Sequence, residues 1–129
     1  MIKNSQKHNF LSLSLILTCL LLTSNVFADG YQIKLKATNV KDTTMLLAYH
    51  MGHKIFIQDT AVINKKGIAV FEGEEALKPG IYLGVYPGSK YYEFLVPREA
   101  NGQKFSIEVD TSDFINSMKI SGSEENKTF

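Results

Sequence analysis

The sequence predicts an all-β domain, a small antiparallel β-sandwich of about seven strands. Three observations carry that reading. Short apolar runs recur from residue 31 to residue 109, several of them alternate strictly with polar residues, and turn-forming residues separate each run from the next. A period of two puts alternate side chains on opposite faces of a strand, and many short strands with regular turns suit a two-layer β fold.

The first strand is the clearest. Tyr31, Ile33, Leu35 and Ala37 alternate with Gln32, Lys34 and Lys36, the pattern of a half-buried strand. Further runs follow at Met45–Tyr49, Ile55–Ile63, Ile68–Gly73, Ile81–Tyr86, Tyr91–Val96 and Phe105–Val109. Between them lie His50-Met51-Gly52-His53, Asn64-Lys65-Lys66-Gly67, Lys78-Pro79-Gly80, Pro87-Gly88-Ser89-Lys90 and Asn101-Gly102, all rich in turn residues.

One hairpin permits a register prediction. With Pro87 to Lys90 as the loop, Tyr86 pairs with Tyr91, Val85 with Tyr92, Leu83 with Phe94 and Ile81 with Val96. The face made of Ile81, Leu83, Val85, Tyr92, Phe94 and Val96 is then the core side. Tyr82, Tyr86 and Tyr91 fall on the outer face, a possible docking surface for a partner, a peptide or a sugar ring. On this register Leu83→Ala or Phe94→Ala should cost about 2–5 kcal/mol and Tyr86→Ala under half as much.

The C-terminal end reads differently. Ser123 suits an N-cap, and Glu124 and Glu125 suit the positive end of a helix dipole. Residues 29–122 therefore read as the β-domain and residues 123–129 as the start of a helix. One or two isolated turns are not stable alone, so the helix is expected to continue in a longer chain.

Residues 1–28 have the layout of a secretory signal: Lys3 and Lys7, an apolar run from Phe10 to Leu22, and a polar exit ending Val26-Phe27-Ala28. The apolar run is shorter than a spanning helix needs, so cleavage and export to the periplasm or cell envelope are expected, with no membrane attachment afterwards. Cys19 lies inside that run without the small residues of a lipobox, which favours cleavage over lipidation.

Export changes the chemistry available. The full chain carries a net charge of +1, which becomes −1 without Lys3 and Lys7. No basic face stands out, so nucleic acid is not an expected partner. The only cysteine leaves with the signal, so the exported domain has neither disulfide nor thiol chemistry.

Four groups of residues carry chemically useful side chains or backbone. His50 and His53 flank a tight turn and could share a metal, with Asp59 as the nearest third ligand, but the ligand set is incomplete and a solvated polar turn is the simpler reading. Asp59-Thr60 and Asp110-Thr111-Ser112-Asp113 offer carboxylates and hydroxyls but no base placed beside a nucleophile. The second run more simply caps a short turn from Asp113 to Ser117. Gly84 lacks the glycine-rich surroundings of a phosphate loop. No catalytic residue, metal or cofactor is therefore expected.

The succession Tyr31-Gln-Ile-Lys-Leu-Lys, Lys41-Asp-Thr-Thr, Asp59-Thr-Ala-Val-Ile-Asn-Lys-Lys-Gly67, Phe71-Glu-Gly73, Pro79-Gly-Ile-Tyr-Leu83 and Ser121-Gly-Ser-Glu-Glu-Asn126 carries a resemblance. It resembles the N-terminal domain of unknown function of envelope thioredoxin-like proteins in Gram-negative bacteria. The resemblance covers roughly residues 30–126. It implies a β-domain followed by a helical segment and a thioredoxin-like domain with a Cys-x-x-Cys site. This sequence has no such site, so redox activity carries over to no residue here. The resemblance implies a non-catalytic accessory domain of a thiol-disulfide oxidoreductase, with a thioredoxin-like domain or other envelope protein as partner. The alternative is a free-standing envelope binding module that uses the tyrosine face.

Overall fold

Tyr31, Ile33, Leu35 and Ala37 all turn inward from β1 (Tyr31–Ala37), as their alternation predicts. In the computed structural model, which describes residues 30–129, β1 lies inside one of two four-stranded sheets. The signal sequence, its cleavage site and Cys19 lie outside the described residues.

The remaining strands are β2 (Thr43–Met51), β3 (Lys54–Ile63), β4 (Ile68–Gly73), β5 (Gly80–Tyr86), β6 (Lys90–Val96), β7 (Lys104–Val109) and β8 (Lys119–Ser121). The first sheet runs β4-β1-β7-β8 and the second β3-β2-β5-β6. The fold is an all-β sandwich, with β8 as an eighth strand. Its pairs are antiparallel except that β1 and β7 run parallel. No hairpin joins those two strands, so nothing local forces them to be antiparallel.

Two short helices complete the described chain. Asp113 caps α1 (Phe114–Ser117) by accepting from the Asn116 N–H, as the sequence suggests. Ser123 caps α2 (Glu124–Thr128) by accepting from the Asn126 N–H. Fully buried Ile33, Leu35, Phe71 and Ile107 of the first sheet face Met45, Leu47 and Phe94 of the second. Each such side chain stabilises the fold by about 1.5–3 kcal/mol before ordering entropy is set against it.

The β5–β6 register differs by one residue from the sequence expectation. Tyr86 pairs with Lys90, Gly84 with Tyr92 and Tyr82 with Phe94. The loop is Pro87-Gly88-Ser89, with Gly88 (φ 80°) and Ser89 (φ 59°) both left-handed, which closes the turn one residue sooner. On β6 the core set of Tyr92, Phe94 and Val96 is as expected. On β5 the faces exchange: Tyr82, Gly84 and Tyr86 point inward, and Ile81, Leu83 and Val85 point outward.

Gly84 is needed where it stands. A Cβ there would lie 2.7 Å from Met45 Cε, 3.1 Å from Leu35 Cδ1 and 3.2 Å from Tyr92 Cζ. Its absence lets the Tyr92 ring lie across β5. Tyr49, Tyr82, Phe94, Tyr92, Tyr86 and Phe114 then form a chain of ring contacts with centroids 5.6–6.4 Å apart, and Phe105 joins edge-on at Phe94.

Two carboxamides act as strand substitutes. The Leu77 N–H donates to Gln103 Oε1 at 2.8 Å, and Gln103 Nε2 donates to the carbonyls of Leu77 and Pro97 at 3.0 and 2.8 Å. The Leu95 N–H donates to Asn126 Oδ1, and Asn126 Nδ2 donates back to the Leu95 carbonyl. Each satisfies main-chain groups that a neighbouring strand would otherwise take.

Candidate docking surface

The outward faces of the two sheets differ sharply in chemistry. Outside the first sheet stand Gln32, Lys34 and Lys36 of β1, Ile68, Val70 and Glu72 of β4, Lys104, Ser106 and Glu108 of β7, and Lys119 and Ser121 of β8, so the face is mostly polar with two apolar residues at the β4 edge. Lys36 pairs with Glu108 at 3.4 Å and Gln32 donates to Glu72 at 3.1 Å. That is the solvated face of an ordinary half-buried sheet.

The second sheet is apolar on its outside as well as its inside. Leu46 of β2 is flanked by Thr60 and Val85, and Val85 by Tyr91. In the next row Ala48 is flanked by Ile57 and Leu83, and Leu83 by Glu93. Ile55 lies opposite His50, and Ile81 opposite Leu95. Val62 extends the patch along β3 opposite Thr44. Ile55, Ile57, Val62 and Tyr91 are 57%, 65%, 72% and 55% exposed, so among the described residues no loop covers the patch.

A bulge makes this face continuous. The β2–β3 register shifts after Leu47, which pairs with Asp59 while Ala48 pairs with Ile57. Gln58 is the extra residue. In an unbroken ladder Ile55 and Ile57 would share a face with Asp59; the bulge lets both isoleucines face outward while Asp59 faces inward. As built, Asp59 turns toward the first sheet and accepts from the Tyr31 hydroxyl at 3.5 Å.

The patch holds one polar pair. His50 Nε2 and Glu93 Oε1 meet at 2.9 Å across β5. Their meeting over that strand helps bury Leu83, which is 2% exposed although it points away from the core. An exposed pair of this kind contributes little stability. It does give the two ionisable groups among these rows a partner.

The residues singled out from the sequence are distributed as follows. Of the three tyrosines expected on an outer face, Tyr91 is there, while Tyr82 and Tyr86 are core residues at 2% exposure each. The cause is the shorter loop and the one-residue register change. Tyr82 donates to the Lys78 carbonyl at 2.9 Å, and burial pushes its phenol up to about 12. Tyr86 and Tyr92 pack with centroids 6.0 Å apart, their hydroxyls without a hydrogen bond of standard geometry, and burial raises both phenols.

The histidines are not brought together. His50 is engaged with Glu93 on the outer face, His53 is exposed in the β2–β3 turn, and Asp59 is on the opposite face of the sheet from His50. Among the described residues no cluster of three metal-ligating side chains occurs. Asp110 is exposed and accepts from the Ser112 hydroxyl and N–H and from Asn39; these bonds, Ser112's foremost, hold its carboxyl below the usual range. That is the chemistry of a turn, with no nucleophile placed beside a base.

The apolar face itself was hidden from sequence reasoning. Its signal was available in β3, where Ile55, Phe56 and Ile57 are consecutive rather than alternating. Consecutive apolar residues in a strand indicate two covered faces.

Residues 31–129 match the family model described as a domain of unknown function (DUF4369). No curated protein and no solved structure matches the chain.

Proposed function

Because the chain belongs to the DUF4369 family, a domain described without an activity, we propose from its surface that it is a non-catalytic docking domain. In this reading it is the accessory domain of an exported thioredoxin-like thiol-disulfide oxidoreductase. The observation that carries the proposal is the asymmetry of the sandwich: a charged outside on one sheet and an apolar outside on the other. A sheet face set with Ile55, Ile57, Val62, Ile81 and Tyr91 gains by being covered. The resemblance of residues 30–126 to domains joined to a thioredoxin-like domain supports the choice of that partner. The role is to place or shield that domain's reactive site, or to help select its substrate.

The test has two parts. Isotope-labelled chain is titrated with the thioredoxin-like domain of an envelope oxidoreductase from the same cells. Shifts of the Ile55, Ile57 and Val62 methyl signals, without shifts on the Lys34 and Lys36 face, are expected. Unchanged methyl signals at millimolar partner would overturn the docking role. The chain alone should not reduce insulin disulfides, and measurable turnover would overturn the non-catalytic assignment.

A further inference from the structure

A second surface, independent of what covers the apolar sheet, lies along the edge of β6. This strand ends the second sheet, with β5 on its one paired side. On an antiparallel edge strand alternate residues direct both N–H and C=O outward. Leu95 shows which residues these are, since both its main-chain groups go to Asn126 rather than to β5. Tyr91 and Glu93 share its parity. Among the described residues nothing bonds their outward N–H and C=O groups.

Beside that open edge runs a groove of about 560 Å³, between β6 and the segment from α1 to α2. Phe114, Ile115, Met118, Ile120 and Phe129 line its far wall. Ile115 is 90% exposed there. The groove therefore places apolar side chains next to unpaired main-chain donors and acceptors. Those are the two halves of a strand-addition site, in which the edge supplies affinity and the adjoining pockets select side chains.

We propose that this edge and groove accept a short extended polypeptide segment from another protein. It would add as a strand beside Tyr91 and Glu93, with alternate apolar side chains in the groove. Hydrogen-bonding complementarity identifies the occupant, because paired N–H and C=O groups on a strand edge are met by another main chain. Asn126 already meets the Leu95 pair with a carboxamide, which has the same donor and acceptor as a peptide group. Asn126 and Phe129 also stand at the groove, so the edge is open only at Tyr91 and Glu93. That restricts it to a segment of a few residues and disfavours a second copy's whole β6 strand.

The test uses the chain expressed in full, purified and labelled with nitrogen-15. The probe is the blocked peptide acetyl-Val-Thr-Val-Thr-Val-amide, with two copies N-methylated at the valines or at the threonines. The parent peptide should slow hydrogen exchange at the Tyr91 and Glu93 amides, and one N-methylated copy should bind about tenfold or more weakly than the other. Ile115→Glu should weaken the parent peptide by a similar factor without changing the melting temperature. Glu93→Pro, which removes an outward N–H that the fold does not use, should abolish protection at that edge. If Glu93→Pro fails to fold, Ile115→Glu and the methylated pair still decide. Unchanged exchange at millimolar peptide, or equal binding of all three peptides, would overturn the proposal. Protection that rises with chain concentration in the absence of peptide would assign the edge to a second copy and overturn it too.

Discussion

The side-chain carboxamide of Asn126 completes both main-chain hydrogen bonds of Leu95, at 2.6 and 2.8 Å. Residues thirty-one positions apart are thereby joined as if one were a strand beside the other. The same device recurs where Gln103 holds Leu77. These two clips tie the C-terminal segment and the β7 entry to the sandwich.

Removing a clip leaves partly buried main-chain groups without partners. Asn126→Ala should cost about 1–3 kcal/mol, and Asn126→Asp should recover only part, since a carboxylate accepts from the Leu95 N–H but cannot donate to its carbonyl. Gln103→Ala should cost more, because Gln103 is fully buried and serves three main-chain groups. Urea titrations of the three variants check the order.

Gly84 and Tyr92 face each other across β5 and β6, and the ring occupies the space a side chain would need. Gly84→Ala should destabilise by about 1–3 kcal/mol through overpacking. Met45 is flexible at its end and can yield, whereas the Tyr92 ring is held by its neighbours. Gly84→Ala combined with Met45→Leu, which shortens the side chain that approaches nearest, should recover part of the loss in the same titration.

The tyrosines separate into two kinds. Tyr86→Ala should cost about 3–5 kcal/mol as a large buried ring, and Tyr91→Ala should stay within about 0.5 kcal/mol of the parent. The register expected from the sequence would put both outside, with a small cost at Tyr86. Denaturation midpoints of the two variants distinguish the registers directly.

Alkaline pH supplies an independent check on the same core. Tyr82 titrates at about 12 in the folded chain against an ordinary value of 10.0, and burial raises Tyr86 and Tyr92 as well. The folded state therefore holds these protons more tightly than the unfolded state. Their contribution to stability is complete below pH 10 and is lost as pH rises through the folded values. Stability should fall from about pH 10 upward, and tyrosinate absorbance should show the buried rings ionising only as the fold is lost. Replacing Tyr82 by Phe should flatten the alkaline slope.

Much of the architecture was legible because β1 and β7 are covered on one face only. Tyr31, Ile33 and Leu35, and Phe105, Ile107 and Val109, alternate cleanly for that reason. The caps at Asp113 and Ser123 were legible because they are local chemistry. The β5 register was not. Ile81, Leu83 and Val85 are as apolar as Tyr82, Gly84 and Tyr86, so hydrophobicity did not choose between the faces, and Pro87-Gly88-Ser89-Lys90 accommodates a loop of either length. The apolar outer face thus obscured its own detection, since it is what removed the alternation from β5 and β3. The Gln103 and Asn126 clips depend on contacts twenty-six and thirty-one residues away and leave no local signature.

The most direct measurement is the rate at which a cysteine in the middle of the apolar face reacts with a maleimide, in intact cells and in purified protein. Ile57→Cys probes the face and Lys65→Cys, in the exposed β3–β4 turn, serves as the control. A docking face predicts that Ile57→Cys reacts about tenfold or more slowly in cells than when purified, while Lys65→Cys reacts equally in both. Equal reactivity of Ile57→Cys in both settings would show that nothing covers the sheet and would contradict the account.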